Sequence, residues 1–322
     1  MKAIVYDKRA SPDGLRYADR EKPVPAADEI LVRVRAASVN PLDYHMLRHP
    51  AIRRVMEIVG RQKGSQPGRD MAGEVEAVGA RVTQFKPEDA VFGVAPGAFA
   101  EYACAKESRV TAKPAEISFE QAAAVPVAGL TALQGLRDYG RLEAGQSVLI
   151  NGAAGGIGTF AVQIAKHLGA YVTAVCGTRN VEMVRELGAD RVIDYTKENY
   201  TNGVGRYDLV LDIAGNHSFA ERRRALKPQG TYVGAGIISV KLSVPGVIAH
   251  MAGDAVRKRF VSQKFLTFIA KMTQDDLTRL ADLIRSGEVT PVIDRTYDLR
   301  ELPEAIRYLE QRHARGKVVI KI

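Results

Sequence analysis

The chain has 322 residues, of which 46% are hydrophobic and 26% are charged, and its formal net charge is +9. This length suits two domains, and the composition is ordinary for a soluble globular protein. The positive charge invites a nucleic-acid hypothesis, but the two densest basic runs, 48–63 and 257–264, lack a binding motif or an aromatic stacking series. We therefore expect no nucleic-acid partner, and a charge that attracts an anionic cofactor or maintains solubility.

Cysteine usage and hydropathy predict the compartment. Cys104 and Cys176 are the only cysteines and lie far apart in sequence, which argues against a disulfide framework and indicates a reducing compartment. The apolar start, residues 1–7, is too short for a signal peptide and is predicted to form a first strand. No run reaches the roughly 18 apolar residues that a membrane span needs. We expect a cytoplasmic protein without a membrane span.

The first third of the chain predicts a β-rich domain. Residues 30–36 and 73–79 alternate between apolar and polar side chains, which is typical of half-buried antiparallel strands. Shorter strands are predicted at 89–94 and 99–105, with glycine and proline between them.

The pattern changes at Ser118, where a glutamine three residues later predicts a capping box and a helix. Strands and helices alternate from there, which predicts a parallel sheet with helices on both faces. The predicted strands are 147–151, 171–176, 191–195, 207–212 and 230–234, and the predicted helices are 181–187, 218–226 and 274–286. The tail contains an extended stretch at 289–296, a helix at 302–311 and a strand at 317–322, and it is expected to rejoin the first domain.

A glycine-rich loop between the strand 147–151 and a helix is typical of a dinucleotide site. The fingerprint G-x-G-x-x-G appears as Ala153-x-Gly155-x-x-Gly158, with alanine in the first glycine position. Gly155 would let the backbone approach a pyrophosphate, and Gly158 would let the helix pack closely. Backbone amides at the helix start, including those of Gly156 and Ile157, would face the phosphates. Glycine clusters also form ordinary turns, so the surrounding β-α-β pattern carries much of this prediction.

The end of the second strand of this unit predicts which dinucleotide is bound. NAD sites usually place an acidic residue there, whereas this chain has Cys176-Gly177-Thr178-Arg179-Asn180. Because this stretch has no carboxylate, Thr178 and Arg179 are predicted to bind the 2′-phosphate of NADPH by a hydrogen bond and a charge-assisted pair. The alternative for Arg179 is a solvated surface charge. Asn180 is predicted only to cap the next helix.

Short motifs run nearly from one end of the chain to the other. They are Asn40-Pro41-Leu42-Asp43, Pro67-Gly68-Arg69-Asp70-Met71-Ala72-Gly73, Gly97-Ala98-Phe99-Ala100-Glu101-Tyr102, Gly129-Leu130-Thr131-Ala132, the fingerprint, and Arg315-Gly316-Lys317-Val318-Val319-Ile320. Together they resemble the medium-chain dehydrogenase/reductase superfamily, in the zinc-free branch that includes quinone oxidoreductases.

The resemblance implies an α/β fold with two domains. A GroES-like β-rich catalytic domain would comprise residues 1–118 plus 290–322, and a Rossmann domain with a doubly wound parallel sheet would comprise residues 119–289 and bind NADP. The resemblance also implies a homodimer.

Zinc is the main feature to test against that family, because its alcohol dehydrogenases hold a catalytic zinc with cysteine and histidine ligands. Where the family has Gly-His-Glu, this chain has Gly68-Arg69-Asp70, and only apolar residues stand at 125–129. His45 and Asp70 could make a partial site but lack further ligands. With no metal site predicted, the hydride acceptor should need little polarisation, which favours a quinone or an activated enone as the small-molecule substrate.

By resemblance, the catalytic candidates lie on the loop after the strand 30–36. Asn40 is implied to contact the nicotinamide, and Tyr44 and His45 stand where quinone reductases often carry a substrate-facing tyrosine. Because His45 departs from that tyrosine, the proton donor is not assigned. The alternatives are a turn cap for Asn40 and a core position for Tyr44.

Two nearby residues have open interpretations. Asp43 could orient a neighbour or terminate a helix. Arg48 could attract an anionic substrate or be a solvated surface charge.

The resemblance adds cofactor candidates outside the fingerprint. Thr131 is implied near the ribose and phosphate, and Tyr195 is implied to stack on the adenine, although a core tyrosine is the alternative. Gly215 and Gly234 lie at carboxyl ends of predicted parallel strands, where doubly wound folds bind ligands, and Gly236 follows. Lys317 in the tail is a further cofactor-binding candidate.

The sequence therefore predicts an NADPH-dependent, metal-independent reductase of quinones or enones. One alternative is a zinc-free carbonyl or alcohol dehydrogenase. Another is a non-catalytic NADPH-binding protein that acts as a sensor or scaffold.

Overall fold

The computed structural model describes residues 1–6, 11–48, 67–202, 207–235 and 262–322. Most of both dense basic runs, and Gly236, lie outside the described residues. The chain divides into two compact units, one formed by Met1–Leu130 with Lys271–Ile322 and the other by Thr131–Ala270. The sequence-based boundaries at 118 and 290 differ from this division, in which the segment 119–130 and the helix that begins at Gln274 are grouped with the first unit.

The first unit is rich in strands. Its strands are β1 (Lys2–Tyr6), β2 (Leu15–Asp19), β3 (Glu29–Val39), β4 (Asp70–Val78), β5 (Ala90–Val94), β6 (Tyr102–Lys106), β7 (Val110–Ala112), β14 (Ile293–Asp298) and β15 (Lys317–Lys321). Its helices are α1 (Pro41–Arg48), α2 (Phe119–Ala123), α7 (Gln274–Arg285) and α8 (Leu302–Glu310), and α3 (Pro126–Gln134) crosses the boundary between the units.

The second unit alternates between strands and helices. Its strands are β8 (Ser147–Asn151), β9 (Tyr171–Cys176), β10 (Arg191–Asp194), β11 (Tyr207–Asp212), β12 (Leu226–Ala235) and β13 (Lys264–Phe268). Its helices are α4 (Gly156–His167), α5 (Val181–Glu186) and α6 (Phe219–Ala225).

The main sheet of the first unit has seven strands in one connected set. Its order is β14-β15-β3-β4-β5-β7, and β6 pairs with β3. The tail strand β15 runs antiparallel to β3 with Val318 opposite Val39, so both ends of the chain contribute to one sheet. A buried cluster that includes Val32, Met71 and Ile320 packs on this sheet and forms the core of the unit.

Local sequence signals account for the helices near the boundary and in the tail. Ser118 and Gln121 form both hydrogen bonds of the capping box, as predicted, and α2 begins directly after Ser118. The predicted tail helix is confirmed as α8, which has proline in its first turn.

The sheet of the second unit is parallel throughout, with the strand order β10-β9-β8-β11-β12-β13. The chain moves outward from β8 in one direction through β9 and β10, and then in the other through β11, β12 and β13. This order is that of a doubly wound dinucleotide-binding fold, in which ligands bind outside the carboxyl ends of the strands where the direction reverses. The predicted α/β class is therefore confirmed. Strand β13 was not predicted.

Candidate active site and cofactor site

The glycine loop after β8 has the geometry that a phosphate requires. Gly155 is the N-cap of α4 and provides no capping side chain, so the first backbone amides of the helix have no side-chain acceptor there. A Cβ added at Gly155 would meet only the Gly152 carbonyl oxygen, at 3.6 Å, whereas one at Gly158 would overlap that oxygen and lie 2.6 Å from the backbone of Ala153. Gly158 thus permits the close packing that the sequence predicted, and Gly155 keeps the helix start open.

The central strands of this sheet end in a hydrogen-bonded row. Parallel register places Asn151, Asp212 and Gly234 side by side on β8, β11 and β12. Asp212 is buried and accepts from Asn151 Nδ2 at 2.9 Å, from the Gly215 amide at 2.8 Å and from the Tyr232 hydroxyl at 2.7 Å. Asp212 therefore fixes the loop that carries Gly215, a role that the sequence did not assign to it.

A second group lies where β9 and β10 end, and we call Thr178, Arg179, Asp194, Tyr195 and Thr196 the β9–β10 tip cluster. The register pairs Asp194 with Cys176, which brings the residues after β9 next to the end of β10. Thr178 Oγ1 donates to Asp194 Oδ2 at 2.6 Å, and Thr196 Oγ1 donates to Asp194 Oδ1 at 2.8 Å.

The tip cluster corrects part of the sequence interpretation. A carboxylate does stand at the predicted 2′-phosphate site, because Asp194 reaches Thr178 from the neighbouring strand. The hydrogen bond from Thr178, followed by those from Thr196, lowers the pKa of Asp194 to about 2, so this carboxylate is ionised at neutral pH.

Three further cofactor candidates have clear environments. Tyr195 is 60% exposed, so the alternative of a core tyrosine is wrong, and a Cβ at Gly177 would lie 3.1 Å from its hydroxyl. Arg179 is exposed in a short 3-10 turn, Thr178–Asn180. Asn180 stands at the N-cap of α5, as predicted, but its side chain makes no capping hydrogen bond. Thr131 is buried in α3.

In the first unit, polar side chains gather where β3 ends and where β4 and β15 begin. We call Ser38, Asn40, Asp43, Asp70 and Lys317 the buried polar cluster, and all five are at most 4% exposed. Antiparallel register places Ser38 opposite Asp70, and the pairing of β15 with β3 brings Lys317 to the same end of the sheet. Gly316, at φ +98°, precedes Lys317 and has no room for a Cβ beside Val292.

The cluster holds the Asn40 amide in one orientation. Asn40 Nδ2 donates to Asp70 Oδ2 at 2.9 Å, and Asn40 Oδ1 accepts from Lys317 Nζ at 2.7 Å. Asp70 Oδ2 also accepts from Ser38 Oγ at 3.0 Å and from Lys317 Nζ at 3.3 Å. The structure thus brings the predicted catalytic Asn40 and the predicted cofactor-binding Lys317 together through Asp70.

The alternative from the sequence was that Asn40 caps a turn. In the structure the side chain of Asp43 caps this turn. Asp43 Oδ2 accepts from the Asn40 amide at 2.7 Å, while the Asp43 amide donates to the Asn40 carbonyl at 2.9 Å. Asp43 Oδ1 is buried without a hydrogen-bond partner among the described residues. Burial, with the Asp70 carboxylate nearby, raises the pKa of Asp43 from 3.8 to about 7 against the lowering effect of the Asn40 amide.

The other catalytic candidates follow on α1. Tyr44 is 9% exposed and belongs to the hydrophobic core, and burial raises the pKa of its hydroxyl. Its ring lies 4.2 Å from that of His45, which is half-buried. Arg48 is on the surface and makes a two-pronged salt bridge to Glu310, at 2.8 and 2.9 Å. That pairing favours the surface interpretation of Arg48.

The buried polar cluster does not fit a zinc ion. Its oxygen atoms at Asn40 and Asp70 already face the Lys317 ammonium, and a second cation at the same atoms would be repelled. In the parts of the chain that the structure describes, no group of three or more His, Cys, Asp or Glu side chains is arranged to hold a metal ion. The open start of α4 and the strand ends around Asp212, by contrast, fit a dinucleotide.

The sequence missed Asp194 and did not predict the contacts that Asp70 and Asp212 make. Asp70 was considered as a departure from a family motif and as half of a partial metal site, and Asp212 only as the first residue of a strand-end stretch where ligands bind. For Asp212 and Asp194, a carboxylate as the last residue of a parallel strand was the available signal. For Asp70, no local signal existed, because its partner Lys317 is 247 positions away.

Family models match both parts of the chain. Residues 26–115 match the alcohol dehydrogenase GroES-like domain, and residues 187–320 match a family described as zinc-binding dehydrogenase. Curated relatives match over the whole chain. The NAD(P)H oxidoreductase RTN4IP1 of Mus musculus, described as mitochondrial, is 32% identical over 100% of this chain and 89% of its own length, and a chloroplastic quinone-oxidoreductase homolog of Spinacia oleracea is 32% identical over 100% and 98%.

Solved structures agree with this assignment. The quinone oxidoreductase of Coxiella burnetii has a TM-score of 0.87 at 30% identity, covering 100% of this chain and 99% of that one. The Escherichia coli quinone oxidoreductase complexed with NADPH has a TM-score of 0.84 at 25% identity, covering 100% of both. The fold and both sites define an oxidoreductase with a GroES-like domain and a Rossmann domain. This chain belongs to the medium-chain dehydrogenase/reductase superfamily, in the quinone oxidoreductase-like branch.

The relatives establish a coarser function and correct one prediction. The chain is an NAD(P)H-dependent oxidoreductase that acts on a small molecule. The predicted cytoplasmic location is wrong, because the relatives from mouse, spinach and Arabidopsis thaliana carry mitochondrial or chloroplast descriptions. Among the described helices, none has the length and apolar character to cross a membrane.

Proposed function

We propose that this chain reduces quinones or activated enones with NADPH and without a metal ion. The observation that carries the proposal is the position of Lys317, whose ammonium engages Asn40 Oδ1 and Asp70 Oδ2. The Lys317 ammonium therefore already occupies these oxygen atoms as a cation that belongs to the chain. A substrate that accepts hydride readily, because its ring or double bond is already electron-poor, suits such a site.

The reaction needs one hydride and one proton. A reduced nicotinamide held at this site would supply the hydride, and a quinone that gained the hydride and the proton would become a hydroquinone. In an enone the hydride adds to the β-carbon, and the developing oxyanion takes a hydrogen bond and then the proton.

The residues of the chain divide these tasks. We assign Asn40 to contact with the nicotinamide, since the hydrogen bonds from Lys317 and to Asp70 leave its amide a single orientation. Tyr44 and His45 are the candidates for the donor to the substrate oxygen. A tyrosine hydroxyl is protonated at neutral pH, as a donor must be, and the burial that raises the pKa of Tyr44 favours the same form.

Oxidation of reduced cofactor, followed with a panel of quinones, enones, aldehydes and alcohols, tests the reaction. We expect turnover with quinones or enones that is unaffected by a chelator. Turnover of alcohols alone that a chelator abolishes would contradict the proposal. Cofactor binding without turnover of any acceptor would favour a non-catalytic NADPH-binding protein instead.

The preference for NADPH rests on Arg179, which is exposed beside Thr178. A guanidinium can form a charge-assisted pair with the 2′-phosphate and has no such partner in NADH. We predict that Arg179→Ala weakens NADPH binding about tenfold and changes NADH binding less than twofold.

Equilibrium titration with each cofactor measures the effect of Arg179→Ala. Arg185→Ala is the matched control, because Arg185 is also exposed and pairs with Glu182 on α5. An equal loss for both cofactors in Arg179→Ala would show that Arg179 does not contact the phosphate.

We also propose that the protein is a homodimer, as its resemblance to the family implies. Light scattering during size-exclusion chromatography should give twice the mass of the chain. A monomer at micromolar concentration would contradict this.

A further inference from the structure

We propose that Asp194 sets the choice between NADPH and NADH by weakening the binding of NADPH. This inference rests on the proposed function, in which the β9–β10 tip cluster lies at the 2′-position of the cofactor ribose. Asp194 would be a second determinant of the cofactor preference. It would oppose the effect of Arg179, and it lies on β10 rather than after the end of β9.

The Thr178 hydroxyl is already hydrogen-bonded to Asp194. A threonine hydroxyl has one hydrogen to donate, and Thr178 Oγ1 donates it to Asp194 Oδ2 at 2.6 Å. What remains on Thr178 is acceptor capacity, which suits the free 2′-hydroxyl of NADH and repels phosphate oxygens. The sequence predicted that Thr178 donates a hydrogen bond to the 2′-phosphate. As long as Thr178 Oγ1 donates to Asp194, it cannot do so.

The negative charge of Asp194 would also repel a phosphate. Asp194 Oδ2 lies 2.6 Å from the Thr178 hydroxyl, so a phosphate in contact with Thr178 would lie about 6 Å from the Asp194 carboxylate. In a water-like environment, a unit negative charge at that distance lowers the binding constant of a doubly charged phosphate about tenfold. The hydrogen bonds that Asp194 accepts keep it ionised, so this repulsion persists at neutral pH.

Among the described residues, Lys197 forms an ion pair with Asp194. Lys197 Nζ lies 3.6 Å from Asp194 Oδ2, but its side chain is 71% exposed. The Asp194 side chain is 11% exposed, but water around the exposed lysine screens its charge, so Lys197 reduces the repulsion without cancelling it.

The test is the ratio of the NADH to the NADPH dissociation constant, measured by equilibrium titration of the full-length protein. Asp194→Asn removes the charge with little change in shape, and its oxygen can still accept from Thr178, while its NH2 group replaces the oxygen that accepts from Thr196. We expect NADPH to bind about tenfold more tightly to this variant, and NADH to change less than threefold.

Glu143→Gln is the matched control. It removes one negative charge from an exposed residue before the amino end of β8, the end opposite the strand tips, and should leave the ratio unchanged. An unchanged ratio in Asp194→Asn, or equal weakening of both cofactors, would overturn the inference. Failure of the wild-type protein to bind either cofactor would instead overturn the proposed function.

A second variant covers the case in which Asp194→Asn does not fold. Lys197→Gln removes the partly compensating cation and should weaken NADPH binding two- to threefold without affecting NADH. In the Asp194→Asn background, where that variant folds, the same substitution should have less effect, because its target charge is gone. No change of NADPH affinity in Lys197→Gln would count against the role of Asp194.

Discussion

The two units each place a carboxylate among several donors, but in opposite surroundings. Asp70 is 0% exposed and is held by Ser38, Asn40 and the ammonium of Lys317. Asp194 lies at a strand end, and its two hydroxyl donors, Thr178 and Thr196, are exposed. An aspartate side chain therefore has a different role in each unit.

We infer that the buried polar cluster fixes the geometry of its own side chains, whereas the β9–β10 tip cluster discriminates between the two cofactors. A buried charge whose partner is removed is destabilising, because the remaining charge cannot regain its hydration. The Asp194 side chain is itself 11% exposed, but its hydroxyl donors and its cation Lys197 are exposed, so removal of its charge leaves no buried charge unpaired and its effect appears in what binds nearby. We expect substitutions in the buried polar cluster to lower stability, and those in the β9–β10 tip cluster to change affinity.

The largest effect is expected for Lys317→Met, which leaves the Asp70 carboxylate buried without its cation. Loss of one partner of a buried pair typically costs about 3–5 kcal/mol. Urea titration should show a loss of this size in the free energy of unfolding. Lys321→Met is the control on the same strand, because Lys321 is 59% exposed and lies 3.8 Å from Glu120; it should cost less than about 1 kcal/mol. Equal stability of the two variants would show that the buried Lys317 does not stabilise the protein more than an exposed lysine does.

A smaller, pH-dependent effect is expected at Asp43. Its pKa rises from 3.8 in the unfolded chain to about 7 in the folded protein, chiefly through burial and then through the neighbouring Asp70. Between these values the folded state holds a proton that the unfolded state has lost. Raising the pH from 4 to 7 therefore destabilises the folded protein through this group, and above pH 7 the full penalty is present. The difference corresponds to a free energy on the order of 4 kcal/mol.

Asp43→Asn should remove this dependence. The quantity to measure is the free energy of unfolding of the variant minus that of the wild type, which should increase from pH 4 to pH 7 and then stay level. If the asparagine side chain also changes the free energy of unfolding by a constant amount, the change of this difference with pH is unaffected. Asp282→Asn, at a side chain that is 61% exposed, should give a flat difference. A flat difference for Asp43→Asn as well would mean that Asp43 is ionised throughout.

The sequence predicted the second unit better than the sites. Residues 147–151, 171–176 and 207–212 match β8, β9 and β11 because strands buried on both faces are short apolar runs with clear ends. Strand β13 was missed because Lys264–Phe268 mixes polar and apolar residues and follows a stretch without a clear pattern.

The site interactions depend on pairings that no local pattern encodes. Lys317 meets Asn40 across 277 positions, and only the β15–β3 register brings them together. Asp194 reaches Thr178 because β10 lies beside β9 in register. The sequence therefore predicted which residues to consider at the sites, whereas the hydrogen bonds among them required the fold.

The smallest stability effect tests the phosphate side of the second unit through its two glycines. Gly158→Ala places a methyl group against the Gly152 oxygen and the Ala153 backbone, neither of which can rotate away, so we expect a loss of about 1–3 kcal/mol in stability. Gly155→Ala meets only the Gly152 oxygen, at 3.6 Å, and Gly155 has φ −82°, which alanine adopts freely. Its stability should match the wild type, while binding of both cofactors should weaken by at least tenfold, because the methyl group would stand where we predict the pyrophosphate approaches. If Gly155→Ala binds both cofactors normally, the open start of α4 does not receive the phosphates, and the contrast between a structural and a binding cluster would rest on the β9–β10 tip cluster alone.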